Sequence, residues 1–403
     1  MDGNRLLHAC EQALPEVLKL SERLVNMDSG TDDLPGLKRK AELLAELFAQ
    51  EGAEVSWLEA APPRQGTWNL AARFRGDGQA KILILTHYDT VFPAGEAARR
   101  PFRCDGEKAY GPGVADMQTS LAMLLRGLPL LHEEDGGRHY HTLTVFCNAD
   151  EESGSWGSRE QIMALAREHD ITLNMELSGA EGNLITVSGR GMANGTLRVR
   201  GRAAHSAAEP PAGVNAGLEL AHQLLQLRGL SKPEIRTAVN ATVGSFGSRP
   251  NVIPDKAEAT LNIRVARADE FQRVEHEIRE IIQRKLFPES EVSFDMTVAI
   301  MPYGNNPITL GLADKVRALA REELGMELGY RHAIGGNDTS FSAQVCPSLD
   351  GFGPGCVAMH SEDEYLPIRT VTPRLYILLR MIQEICRGTM VPLNRNDARE
   401  SQA

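Results

Sequence analysis

No apolar run in this sequence approaches the roughly 20 residues that a bilayer crossing takes. The first helix-like stretch is broken by Glu11, Glu16, Lys19 and Glu22, so it lacks the apolar centre of a signal peptide. Cysteine is sparse and scattered. Cys10, Cys104, Cys147, Cys346, Cys356 and Cys386 form no C-x-x-C pair, which suits reduced thiols better than a disulfide framework. Positive charge is short as well: 43 Lys and Arg face 54 Asp and Glu, for a net charge of −11. That balance offers no basic stripe to a nucleic acid or an anionic membrane, although a few arginines in a cleft can still attract an anionic substrate. Short repeats and low-complexity segments are missing too. These absences lead to the expectation of a cytoplasmic protein with no membrane or nucleic-acid partner.

What is present is a long chain with a regular alternation. At 403 residues it exceeds one ordinary core, so two domains are expected. Helices are expected near Leu14–Met27 and over Leu37–Gln50, where Leu37, Ala41, Leu44 and Phe48 recur at helical spacing and Gly52 supplies the stop. Strand-like runs follow at Glu54–Leu58, Trp68–Phe74 and Lys81–Thr86, the last continuously apolar as in a strand buried on both faces. Further strands are expected at His141–Ala149 and Ile171–Leu177. The helix between them carries a Ser158/Gln161 capping box and ends near His169. Strands alternating with helices predict an α/β fold: a mostly parallel sheet with helices on both faces.

The pattern changes near Gly189. Strand, helix, strand, strand, helix, strand (Ala193–Val199, Val214–Leu227, Ile235–Ser245, Ala257–Val265, Asp269–Lys285, Glu291–Ala299) is a ferredoxin-like β-α-β-β-α-β order. It predicts an inserted domain over 189–301, between a first catalytic segment (1–188) and a second (302–403). In the second segment a helix is expected around Leu310–Leu324, and a last one starts with Thr372 as cap and Pro373 at its first position. The polar tail Asn394–Ala403 is expected to fray.

The chemistry-bearing positions lie far apart in the chain. Tyr110-Gly111-Pro112-Gly113-Val114-Ala115-Asp116 places three turn-formers ahead of one carboxylate, just before a helix-like run, and Asp116 reads as a bridge between two metal ions. His87 stands at the end of the most apolar strand, where ligands bind in open α/β sheets, and Asp89 two residues on can hold its second nitrogen. Alone, that is also a strand-end histidine beside a turn aspartate. Asp150-Glu151-Glu152 sits at another strand end; three adjacent carboxylates repel unless cations or solvent compensate. It reads either as a solvated acidic turn or as a division of labour, with Glu152 on metal and Glu151 free as general base. Glu176 falls late in a buried strand, and His360 follows the glycine-rich Gly351-Phe352-Gly353-Pro354-Gly355. One bridging carboxylate, two histidines and two further carboxylates suffice for two metals about 3.5–4 Å apart. Mixed ligands of this kind suit Zn2+, with Co2+ or Mn2+ as substitutes.

Taken in order, these motifs with Gly201-Arg-Ala-Ala-His205-Ser206, Asn251-Val-Ile-Pro254, Gly335-Gly336-Asn337-Asp338 and His360-Ser361 complete a pattern. The chain resembles the co-catalytic zinc peptidases that include glutamate carboxypeptidase, acetylornithine deacetylase, succinyl-diaminopimelate desuccinylase and aminoacylase. The likeness covers nearly the whole chain and is nearest to the bacterial folate-hydrolysing glutamate carboxypeptidases. The resemblance implies that Asp116 bridges the metals, that His87 and Glu176 complete one site and that Glu152 and His360 complete the other. It makes Asp89 the orienter of His87, and Glu151 the base. It makes the inserted domain a lid and homodimerisation domain, in which His205 steadies an oxyanion while Asn251 and Arg264, with the Gly335-Gly336 loop, hold substrate. A glutamate at position 176 tilts the reading from aminopeptidase toward carboxypeptidase or deacylase. Two departures stand out. Met117-Gln118-Thr119-Ser120 replaces a Lys-Gly-Gly or Asp-Lys-Gly run, and Glu181-Gly182-Asn183-Leu184 lacks the substrate-binding lysine of the glutamate carboxypeptidases. The expected activity is hydrolysis of an amide beside a free carboxylate, on a small peptide or N-acyl amino acid. The rivals are an N-acyl amino acid deacylase and, from another class, a catalytically silent dimeric ligand-binding protein.

Overall fold

The computed structural model describes residues 3–208 and 212–391, so the Asn394–Ala403 tail lies outside the described residues. By its internal packing the chain divides into two compact units. One comprises Met1–Val187, Gly304–His332 and Asn337–Ala403, and the other Ser188–Tyr303 with Ala333–Gly336.

The first unit is built around the apolar strand Lys81–His87, buried from Ile82 onward. It runs parallel to Thr142–Asn148 on one side and to Ile171–Asn174 on the other, and Ser348–Asp350 extends the parallel set. Trp68–Arg75 and Glu54–Glu59 add an antiparallel edge. The parallel strands are buried almost throughout, which explains their apolar sequence. Helices Gly3–Val25, Leu34–Gln50, Thr119–Asp135, Pro307–Leu324 and Val371–Cys386 contribute Leu24, Leu44, Leu121, Val316 and Leu375 to the same core as Ile82, Ile84, Val145 and Leu173.

Several local expectations need correction. The capping box does not form: Ser158 Oγ donates to Asp150 (2.6 Å) and Gln161 Nε2 to the Glu59 carbonyl (2.7 Å), so both side chains tie the turn to its surroundings. The last helix begins at Val371 with Thr370 as cap, which leaves Pro373 inside the first turn, where its missing N–H costs nothing. The strand from Ile171 stops at Asn174, so Glu176 lies just past its end. The short strands Ser348–Asp350 and Gly329–Ala333, and the Leu184–Gly189 strand, were not foreseen.

The second unit carries a four-stranded antiparallel sheet in the spatial order Ala238–Phe246, Lys256–Val265, Gly191–Arg200, Glu291–Ile300. Helices Ala216–Leu227 and Asp269–Ile281 share its apolar core through Leu220, Leu227, Phe271, Val274 and Ile278. The strand Lys256–Val265 alternates buried and more exposed positions, as a sheet covered on one face requires. This is the ferredoxin-like arrangement.

Candidate metal centre and active site

Three neighbouring parallel strands end side by side, and each hands its next residues to the same place. His87 closes one strand opposite Asn148, which closes the next and leads into Asp150-Glu151-Glu152. Asn174 closes the third, two residues before Glu176. His87 Nδ1 lies 3.1 Å from the Asp89 carbonyl. A carbonyl only accepts, so Nδ1 carries the hydrogen and Nε2 is left for a metal. Asp89 is fully buried. Its carboxylate accepts from the Glu151 and Glu152 backbone N–H groups (3.2 Å each) and from Thr31 Oγ1 (2.8 Å), and lies 3.4 Å from His87 Nδ1. One aspartate thus fixes both the imidazole and the acidic turn.

Asp116 is delivered by the loop after Tyr110. Gly113 there has φ +68°, and a side chain on it would collide with Thr90 and with the Asp116 carbonyl. The Asp116 carboxylate is shared: Oδ1 is 3.1 Å from His87 Nε2 and Oδ2 is 3.1 Å from His360 Nε2. Glu152 Oε2 lies 3.3 Å from the same His360 nitrogen, and Glu176 Oε1 lies 3.9 Å from His87 Nε2. His360 is held at φ +63°, a conformation an L-residue adopts at a cost of about 1 kcal/mol. Gly353, in the glycine-rich run before it, donates its N–H to the Glu176 carbonyl (2.8 Å) and has no room for a side chain. All five sequence-predicted ligands, with Glu151 and Asp89, are therefore gathered in one place.

The electrostatics are those of a crowded anion nest. Burial and the nearby Glu176 hold the Glu151 carboxyl well above the ordinary range. Burial and Asp116 do the same to Glu176, and raise Glu152. Burial lowers the pKa of His87, but its hydrogen bonds to Asp116 and Asp89 outweigh that and hold it well above the ordinary imidazole value. Asp116 and Glu152 push His360 up to about 10. Asp116 alone is depressed, because both imidazoles overcome its burial. A divalent cation resolves such a nest by pairing with several carboxylates at once. The donor set fits: the ligand atoms of His87, Asp116 and Glu152 lie within 4.8 Å of one another, and so do those of His87, Glu151 and Glu176. The second group brings Glu151 beside the ligands as well.

In the second unit the predicted residues fall into two places. His205, on Ala204–His205, pairs in register with Val252, next to Asn251. His205 Nδ1 accepts from the Ala207 N–H (3.2 Å), which leaves Nε2–H as a donor on an exposed ring. Arg264 is half-buried, with Nε donating to Asn262 Oδ1 (3.2 Å), and a side-chain atom added to Gly335 would sit 3.8 Å from its Nη1.

Sequence reasoning overlooked a supporting set. Asp338 accepts from Ser155 Oγ (2.5 Å) and Asn148 Nδ2 (2.9 Å), and burial pushes it up to about 7. Glu364 accepts the Ala115 N–H (3.1 Å) on the Asp116 loop, and burial with Asp116 pushes it up to about 8. Lys40, wholly buried on the Leu34–Gln50 helix, donates to Gln118 Oε1 (3.0 Å), whose amide donates to the Tyr88 carbonyl between His87 and Asp89 (3.2 Å). Asp338 closed the Gly335-Gly336-Asn337-Asp338 motif without a role of its own, and Glu364 gave no signal beyond nearness to His360. Lys40 gave one, as a charge on the apolar face of a helix.

Carboxylates and imidazoles meeting at the carboxyl ends of a parallel sheet define a metal-dependent hydrolase of the peptidase and amidohydrolase type. The chain belongs to the M20 peptidases: residues 83–384 match peptidase family M20/M25/M40. It is 32% identical to carboxypeptidase G2 of Pseudomonas sp. (strain RS-16) over 96% of this chain and 93% of that one. It is 25% identical to succinyl-diaminopimelate desuccinylase of Delftia acidovorans over 94% of this chain and 100% of that one. Among solved structures, a tripeptidase from Staphylococcus aureus shares the fold with a TM-score of 0.78 and 21% identity, covering 93% of this chain and 99% of that chain. An M20 metallo-carboxypeptidase from Sulfolobus solfataricus shares it with a TM-score of 0.72 and 14% identity, covering 92% and 99%. Among the described residues no helix is long and apolar enough to cross a membrane.

Proposed function

We propose that the chain is a two-metal carboxypeptidase that releases a C-terminal residue, glutamate or a similar one, from a small peptide or N-acyl conjugate. The observation that carries this reading is the shared Asp116 carboxylate, with one oxygen 3.1 Å from each of two imidazoles. His87 and Glu176 would hold one cation, Glu152 and His360 the other, and Asp116 both; zinc suits the donors, with cobalt or manganese as substitutes. Bound there, the cations would acidify a water and polarise the scissile carbonyl. Glu151 takes the proton of the attacking water and returns it to the leaving nitrogen. Asp89 keeps His87 and the Glu151-Glu152 turn in register. His205 Nε2–H steadies the oxyanion, while Arg264, with Asn251 and the Gly335-Gly336 loop, binds the substrate carboxylate.

A homodimer through the second unit belongs to the same proposal. The sheet's edge strand Ala238–Phe246 is largely exposed, with Val243 67% and Phe246 63% accessible, and Leu225 on the adjoining helix is 75% accessible. An apolar edge of this kind is suited to cover by a second copy. The cytoplasm is the compartment that fits six free cysteines.

The test is hydrolysis by zinc- or cobalt-loaded enzyme of N-acyl amino acids, dipeptides and an N-aroyl-glutamate. Cleavage of substrates with C-terminal glutamate supports the carboxypeptidase reading. The second reading, an N-acyl amino acid deacylase, draws on the desuccinylase relative and predicts preference for simple acyl groups. Metal binding without turnover of any substrate would favour the silent ligand-binding protein.

A further inference from the structure

The second unit collects three arginines at one end of its sheet. In the antiparallel register Arg264 stands opposite Met192 on one side and Ala238 on the other. Arg190 lies two residues before Met192, just ahead of its strand, and Arg236 two before Ala238, so the segments entering two strands and the end of the strand between them each bring an arginine to one end of the sheet. The segment Ala333–Gly336 ties them together. Arg236 Nη2 donates to the Ala333 carbonyl (3.3 Å), and Gly335 faces Arg264 Nη1. Gly189, beside Arg190, packs so close to Gly335 that a side-chain atom there would lie 2.9 Å from the Gly335 carbonyl oxygen. Neither Arg190 nor Arg264 makes an ion pair among the described residues, and Arg190 Nε is buried without a hydrogen-bond partner. Burial and the neighbouring Arg190 both press Arg264 below its ordinary range, and they do the same to Arg236.

Like charges gathered and half-buried with no counter-ion destabilise a protein unless an anion completes them. One carboxylate occupies one guanidinium fork. Two neighbouring forks on Arg264 and Arg190 match a ligand with two carboxylates a few bonds apart. We propose that Arg190 is a specificity residue which, beside Arg264, reads the second carboxylate of a dicarboxylic leaving residue. The proposal rests on the carboxypeptidase reading. It supplies from the Gly189–Gly191 turn the cation that Glu181-Gly182-Asn183-Leu184 does not contain.

The test compares N-benzoyl-glutamate with N-benzoyl-glutamine, which are nearly isosteric and differ by one charge. Wild type should favour the glutamate substrate at least tenfold in kcat/KM. Arg190→Met should bring that ratio close to one, and Arg190→Lys should keep part of it. A wild-type ratio near one, or a ratio that survives in Arg190→Met, overturns the proposal while hydrolysis of both compounds leaves the carboxypeptidase reading standing. Should neither be cleaved, calorimetric binding of free glutamate against free glutamine to metal-loaded wild type and Arg190→Met decides the subsite alone. Tighter glutamate binding that Arg190→Met abolishes supports it, and equal binding refutes it.

Discussion

The two units hold their functional groups in opposite ways. In the first, His87, Asp89 and Asp116 are buried and Glu151, Glu152 and Glu176 half-buried, with His360 the exposed member of the group; Asp89 alone engages four partners. In the second, His205 and Asn251 are exposed, and Arg264 has a single described hydrogen bond, to Asn262. Residues that position a reactive water must be set before substrate arrives, because small misplacements cost large factors in rate. Residues that grasp a substrate carboxylate can wait for it. Under the proposed function, the contrast separates a preorganised reaction centre from an open recognition surface.

The largest expected effect breaks the first side of this contrast at its free carboxylate. Glu151→Gln should lower kcat by about two to four decades while the protein keeps its fold; a variant with full turnover would remove Glu151 from the role of base. Next comes the scaffold beneath the centre. Lys40→Met, similar in volume and uncharged, cuts the link through Gln118 to the His87–Asp89 segment. It should weaken metal binding about 10- to 100-fold in a chelator competition, as loss of such outer partners typically does. Unchanged affinity would make Lys40 a packing residue only. On the recognition side, Arg264→Met should raise KM about tenfold or more, with a smaller change in kcat, because the lost contact is a charge-assisted hydrogen bond. A fall in kcat alone would place Arg264 with the reaction centre.

The smallest effect concerns stability. Burial raises Asp338 from 3.8 to about 7, so its contribution to stability is full below pH 4 and is lost as pH rises through 7. Metal-free Asp338→Asn should lack that decline, and thermal melts of wild type and variant should diverge between pH 4 and 7. Parallel curves would show that Asp338 does not titrate in that range.

Much of the candidate centre was legible in the sequence because the residues it gathers sit where patterns are strongest. His87 ends the most apolar strand, Glu151 and Glu152 follow another, and Asp116 closes a glycine-proline turn. The supporting residues were less legible. Thr31, Asp338 and Glu364 reach the centre from segments with no periodicity of their own, and only folding shows that Asp338 meets Asn148 across 190 positions. The Ser158/Gln161 pair looked like a cap by spacing, but Asp150 and the Glu59 carbonyl compete for those side chains. The arginine cluster was hidden for a related reason. Arg190, Arg236 and Arg264 are scattered in sequence, and only the pairing of the strands that they lie in or lead into brings them to one end of the sheet.

The central claim is that Asp116 joins two cations while Glu151 stays free to carry protons. The structure makes this a sharp question, because the Glu151 carboxylate lies among the same donors as His87 and Glu176. Counting zinc per chain by mass spectrometry in wild type and Glu151→Gln answers it. The account predicts two in both, with turnover lost in the variant. Loss of one zinc from Glu151→Gln would make Glu151 a ligand, and a single zinc in wild type would contradict the shared Asp116 bridge.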